Sequence, residues 1–151
     1  MGTNTISHIK ASLFSAPAGT ILVHACNTHG AWGSGIALAF RDIYPAAYGV
    51  YRAHCQAHGE SLVGTCLLIP GDDAHDIACL FTSRAYGRRK DAPAQILAAT
   101  RAAVMDLLEK NVSNKPLHAC RFNSGKFGVP WQETEAVLKD LKVTMTVYST
   151  D

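Results

Sequence analysis

Apolar positions along the chain fall into two alternating spacings. TILVHAC (20–26) is a continuous apolar run rich in strand formers. GIALAFRDIY after it sets Ile36, Ala37, Phe40, Ile43 and Tyr44 at helical intervals, so the order strand, loop, helix is expected. Pro45 suits the first turn of a second helix through Tyr48, Tyr51 and Cys55, ending near Gly59. GTCLLIP (64–70) and DIACLFTS (76–83) are short apolar runs bounded by Gly, Pro or Asp, which predicts two buried strands. Between Pro93 and Lys110 the residues Ile96, Thr100, Val104, Leu107 and Leu108 share one helical face, with Asp91 as its expected cap. PLHACRF (116–122) predicts a strand, and WQETEAVLKDL (131–141) a helix with Thr134, Val137, Leu138 and Leu141 together. KVTMTVYS (142–149) puts Val143, Met145 and Val147 on one side, as in a closing strand at a sheet edge. Strands interleaved with helices predict a single α/β domain over 1–151, its sheet covered by helices on both faces. In such folds ligands sit at the carboxyl ends of strands.

Composition narrows the class. With 48% hydrophobic and 17% charged residues the chain is globular in character, and no apolar run approaches the roughly 18 residues of a membrane span. MGTNTISHIK lacks a secretory pattern, so a cytoplasmic or nuclear location with no membrane partner is expected. Cys26, Cys55, Cys66, Cys79 and Cys120 lie mostly inside apolar runs and read as buried thiols of a reducing compartment. With no C-x-x-C pair, no H-x-x-x-H pair expected on a helix and no carboxylate cluster, neither a metal nor another cofactor is expected. A net charge of +2 is too small for a general nucleic-acid binder, but it suits a small anionic ligand.

Two glycine-bearing loops carry the candidate chemistry. HACNTHGAWGSGIA (24–37) follows one predicted strand and runs into a helix, and NSGKFGVP (123–130) follows another. Glycine lets a ligand approach main-chain N–H groups without a Cβ in the way. Where Gly33, Ser34 and Gly35 enter the helix, unpaired N–H groups and the positive end of the helix dipole favour a phosphate or pyrophosphate.

HACNTHGAWGSGIALAF, CLFTSRAYG and NSGKFGVPWQETEAVL together resemble the macrodomain family, specifically its yeast ADP-ribose 1″-phosphate phosphatase type, over residues 9–148. The resemblance implies a three-layer α/β/α sandwich around a mixed sheet, with a cleft for ADP-ribose. It implies a hydrolase that takes phosphate from ADP-ribose 1″-phosphate, a by-product of tRNA splicing, without a metal. Asn27 matches the residue that binds the terminal ribose hydroxyls, with Gly30 and Trp32 in the same loop. Gly33, Ser34, Gly35 and Ile36 match the loop along the pyrophosphate. Asn123, Ser124, Gly125, Lys126, Phe127 and Gly128 match the second phosphate loop, and Thr82 and Ser83 the end of the neighbouring strand. His24 stands where the phosphatase type has His, and with Asn27 it forms the expected catalytic pair, since an imidazole can take a proton from water near neutral pH.

The chain also departs from the family pattern. Ala11-Ser12 replaces the usual Gly-Asp of the first strand, which leaves Ser12 as the adenine-side candidate. The Lys and Asp of the related terminal ADP-ribose glycohydrolases are absent at Ser83 and about Phe127, which disfavours that route. The other readings for the same cleft are a non-catalytic ADP-ribose-binding module and a hydrolase of mono-ADP-ribose on proteins, which would make an ADP-ribosylated protein a partner. The run Arg84, Arg88, Arg89 and Lys90, with Tyr86, reads as a solvated loop or as a recruiter of a phosphorylated end. Cys26 reads as structural rather than as a nucleophile.

Overall fold

The structure, a computed structural model, describes residues 6–71 and 74–150. The apolar run from Thr20 becomes the central strand of a six-stranded sheet, because its side chains are buried on both faces. The strands are β1 (Ile6–Lys10), β2 (Thr20–Asn27), β3 (Cys66–Ile69), β4 (His75–Ser83), β5 (Leu117–Cys120) and β6 (Met145–Ser149), in the order β1-β6-β5-β2-β4-β3. All neighbours pair in parallel except β3 and β4, so the sheet is mixed. The helices are α1 (Gly35–Ile43), α2 (Pro45–His58), α3 (Pro93–Lys110) and α4 (Trp131–Asp140).

Each face of the sheet carries its own core. Ile21, Val23, Ala78 and Leu80 pack with Val104 and Leu107 of α3 and Trp131 and Leu138 of α4. Leu22, Cys26, Cys79 and Phe81, from the opposite face of the same strands, pack with Phe40 of α1 and Tyr51 and Cys55 of α2. The period-2 alternation of β2 and β4 thus feeds two helical layers, giving the expected three-layer sandwich. Pro45 does open α2, and Gly59, at φ 60°, closes it.

Two local expectations are corrected. Asp91 does not cap α3: it turns back to accept from Arg84 N–H at 3.1 Å and Nε at 3.0 Å. The first turn of α3 is served instead by Gln95, whose Oε1 accepts from Ala92 N–H at 2.9 Å. β6 is not an edge strand, because β1 pairs along its outer side from Ile6↔Met145 to Lys10↔Ser149. β1 escaped the hydrophobic reading because all of its residues are at least partly exposed.

Candidate functional site

β2 and β5 are parallel neighbours, yet the chain leaves β2 for α1 on one face and leaves β5 for α4 on the other. The two connections diverge and open a crevice at the carboxyl ends of the strands, as expected at a topological switch point. A cleft of about 710 Å³ lies there, within the range of roughly 300–1,000 Å³ typical of small-molecule sites. One wall is Ala31 to Ala37, the other Arg121 to Phe127, and Asn27, Cys26 and Tyr86 complete it. An annex of about 330 Å³ continues past Ile36, Arg121 and Ser124 to Ser12 and Tyr148.

The electrostatics of the cleft have one sign. Its lining includes Arg121 and Lys126 and no carboxylate. Ser34 stands at the N-cap of α1 without a side-chain cap bond, the first turn holds no acidic residue, and Gly35 has φ +59°. The opening N–H groups of α1 therefore belong to the cleft wall with no internal anion near them. Tyr86, Phe127, Ile36 and Trp32 add apolar surface. The whole is suited to a ligand with anionic groups between flat or ring-shaped ends.

The expected site residues divide into those that line this space and those that build it. Trp32, Gly33, Ser34, Gly35, Ile36, Asn123, Ser124, Gly125, Lys126 and Phe127 line the cleft with Asn27, and Ser12 lines the annex. Gly30 and Gly128 lie beside it as turns at φ +78° and +71°, where a side chain would be strained. Asn27 is largely committed within the protein: Nδ2 donates to Ala31 C=O at 2.8 Å, and Oδ1 accepts from His29 N–H at 2.9 Å and Tyr51 O–H at 3.2 Å. It holds the first loop in shape and leaves one amide hydrogen for a ligand. Asn123, at φ 70°, accepts from Thr82 O–H at 2.9 Å and donates to Thr100 at 2.9 Å and Thr134 at 3.2 Å. Four buried polar side chains from β4, α3, α4 and the second loop thereby fix that loop to the scaffold.

Three expected contacts fall outside the cleft. Thr82 is fully buried in the Asn123 network. Ser83 is fully buried too, donating to Ala85 C=O at 2.7 Å and accepting from Asp91 N–H at 3.0 Å. Both are loop supports. His24 is absent from the lining and lies on the α1/α2 side of β2 behind Cys26 and Trp32, where it has no solvent exposure. Its ring stacks on Phe40 at 4.0 Å and meets Trp32 edge-on at 4.9 Å. A ring sealed in this way has no water within reach to activate, so the direct catalytic role expected of it does not fit the geometry.

His29 is the exposed imidazole nearest the lining, in contact with Tyr86 but not itself part of the cleft wall. Its backbone N–H is bonded to Asn27, its ring stands edge-on to Tyr86 at 6.3 Å, and Nε2 lies 3.1 Å from Glu60. His29 was not among the expected site residues, and its partner Glu60 lies 31 positions further along the chain, a link that local spacing does not reveal. Arg121 was not singled out either, although a cation one residue past a predicted strand end was a usable signal.

Two groupings of metal-ligand side chains run against the expectation of none, and the absence of an H-x-x-x-H pair on a helix is corrected. His54 and His58 form an H-x-x-x-H pair on α2 with ring centroids 4.7 Å apart. Behind the cleft floor, donor atoms of His24, Cys26 and Cys79 all lie within 4.8 Å of one another. Burial pushes the Cys26 thiol up, but the Cys79 thiol and the His24 ring beside it more than offset this and bring it down to about 5. Burial first, and then Cys26, push Cys79 well above its ordinary value.

The chain from Val23 to Leu138 matches the sequence model of the Macro domain. A Chaetomium globosum protein named ADP-ribose 1″-phosphate phosphatase is 44% identical, over 91% of this chain and 84% of its own. Seven further fungal proteins at 35–39% identity have the same name. Among solved structures, the macrodomain of Mycobacterium tuberculosis DarG superposes with a TM-score of 0.79 at 23% identity, covering 98% of this chain and 99% of that one. Thermosipho africanus DarTG in complex with ADP-ribose gives 0.75 at 18% identity, covering 98% and 42%. With a family match across most of the chain, relatives along nearly all of it and the same fold, the chain belongs to the macrodomain family.

Proposed function

We propose that this protein hydrolyses ADP-ribose 1″-phosphate to ADP-ribose and inorganic phosphate in the cleft between its two glycine loops. The observation that carries the reading is the cleft itself: anion-seeking along both walls, free of carboxylates, and built into a chain that is 44% identical to a named phosphatase of that substrate. The pyrophosphate lies along Gly33 to Ile36 at the start of α1. The terminal ribose and its phosphate lie toward Asn27 and the second loop, with Lys126 near the charge. The adenosine end extends past Arg121 into the annex beside Ser12.

Hydrolysis needs a water to attack phosphorus, a proton for the departing sugar oxygen, and stabilisation of the charge on the transferred group. Fixed N–H donors and cations in a partly enclosed site supply the third without reorganising during the reaction. Acid–base work passes from His24 to His29, which stands beside the cleft-lining Tyr86 with Glu60 orienting it and moves a proton at the reacting phosphate. Asn27 contributes by holding that loop rather than by exchanging protons itself.

Phosphorus NMR of the protein with ADP-ribose 1″-phosphate tests the reading. Growth of inorganic phosphate with the pyrophosphate resonances intact is the expected result. Shifted or broadened pyrophosphate signals without phosphate release would replace it with a binding module.

A further inference from the structure

Directly behind the cleft floor, the parallel pairing of β2 and β4 sets His24 opposite Cys79, with Cys26 two residues further along and facing the same core. His24 and Cys79 have no exposure and Cys26 has 2%. Three titratable side chains are thus enclosed among Phe40, Trp32 and other apolar groups. The hydrogen-bonding contacts of His24 are with the Cys26 sulfur, 3.5 Å from Nε2 and 3.8 Å from Nδ1. Nearby, the buried Trp32 indole N–H has no acceptor other than the Cys26 sulfur. Polar groups are seldom gathered in an apolar core without a use, and an ion is among the usual reasons for such a gathering.

We propose that His24, Cys26 and Cys79 form a zinc-binding site beneath the macrodomain cleft. Zinc takes imidazole nitrogen at roughly 2.0–2.1 Å and thiolate sulfur at about 2.3 Å; a tetrahedral angle between them separates nitrogen from sulfur by about 3.5 Å. The Nε2 to Sγ distance is 3.5 Å, and the same sulfur lies 3.8 Å from Nδ1, so binding through one nitrogen requires the Cys26 side chain to swing away from the other. Two thiolates 2.3 Å from one ion stand about 3.8 Å apart, and here all the donor atoms lie within 4.8 Å, so closure takes that turn of Cys26 and an inward movement of Cys79. Stacking on Phe40 occupies the face of the His24 ring and leaves the in-plane nitrogens available to a metal. Two thiolates and a neutral imidazole cancel the charge of zinc(II), whereas copper(I) in the same ligands would leave a buried negative charge. Cys26 lines the cleft, so an ion enters from that side once the packing over His24 and Cys79 opens, with a water admitted alongside it as the fourth ligand. The site stands apart from the phosphatase reading, because its ligands lie below the residues that would hold the substrate.

Cobalt(II) titration of the chelator-stripped full chain tests the proposal, since cobalt reports thiolate ligation by charge-transfer absorption and tetrahedral geometry by its visible bands. One saturating equivalent carrying both signatures, displaced by zinc, is expected. Cys79→Ala should weaken cobalt binding at least tenfold, given that changes outside the ligand shell alone cost about 10–100-fold. Cys66→Ala, which removes a thiol from the opposite core, should bind as the parent does. Absence of the charge-transfer band in the parent, or a band unaltered by Cys79→Ala, overturns the site. Should Cys79→Ala fail to fold, the parent alone decides: zinc must raise its melting temperature and a chelator must reverse the rise, and no shift overturns the proposal.

Discussion

Residues with the same chemistry acquire opposite roles here through burial alone. His24 and His29 are five positions apart, one sealed against Phe40 and the other 44% exposed at its side chain beside Glu60. The proposed reaction uses the second, and this separates the two in measurement. His29→Ala should lower kcat by about 10²–10⁴-fold, the usual contribution of a positioned acid or base. It should leave Tm nearly unchanged, because an exposed His–Glu pair contributes under about 1 kcal/mol. Glu60→Gln should lower kcat less, since it loosens the imidazole without removing it. His24→Ala should instead lower Tm, in the manner of large-to-small changes in a packed core, which cost about 2–5 kcal/mol. Steady-state kinetics and thermal melts on the same preparations check both, and a His29→Ala enzyme with parental kcat would return the acid–base role to some other group. The asparagines follow a similar logic. Asn27 and Asn123 were each read as ligand contacts, and each proves to spend most of its amide on loop architecture.

At the scale of elements, the start of α1 is the part of the cleft most exposed to a single change. A Cβ at Gly33 would meet nothing within 4 Å, and the glycine is not in a left-handed conformation, so a side chain there is free to enter the cleft. Gly33→Glu therefore introduces the first carboxylate into a lining that holds only cations. ADP-ribose affinity should fall at least tenfold, about 1.4 kcal/mol, with Tm within a few degrees of the parent. Calorimetric titration with ADP-ribose reads the first quantity. Unchanged affinity would mean that the phosphates do not lie along α1.

The same elements show what sequence can carry. β2, β4, α1 and α2 were legible because each buries a continuous run or a helical stripe, and Pro45 and Gly59 mark the ends of α2. The cleft was legible from two glycine loops at strand ends. β1 was not, because an exposed strand leaves no hydrophobic alternation to read. The cap of α3 was misread because Asp91 has a competing partner in Arg84, seven residues earlier, that satisfies its carboxylate better than a helix end would. The His24–Cys26–Cys79 grouping depends on which strands become neighbours, a non-local outcome that spacing along one strand does not specify.

For the molecule as a whole, acid should act in two stages with different origins. Burial, with positive neighbours second, holds His54 and His118 below the ordinary histidine value. In the unfolded chain they return to about 6.5, so below that pH the unfolded state takes up protons that the fold resists, and stability falls with pH until the folded values are passed. The carboxylates act lower. Burial pushes Asp76, Asp106 and Glu135 up, but Lys115 on the first, Lys110 on the second and His8 on the third outweigh it and hold all three below their ordinary range. Their contribution is complete above the unfolded values near 4 and is lost as pH drops through the folded ones. Salt should distinguish the stages: ion pairs at the surface are screened at high ionic strength, whereas the penalty for charging a partly buried imidazole by desolvation is much less so. Melting temperatures from pH 8 to pH 3, at low and high salt, should show a first decline below about 6.5 that persists in salt and is flattened by His118→Gln. A second decline, below about 4, should shrink in salt and with Asp76→Asn. A flat Tm between pH 6.5 and 5 would mean that the histidines titrate alike in both states, leaving acid sensitivity to the Asp76–Lys115 ion pair that joins β4 to the start of β5 and to Asp106, which pairs with Lys110 within α3 and accepts from Cys66 N–H of β3.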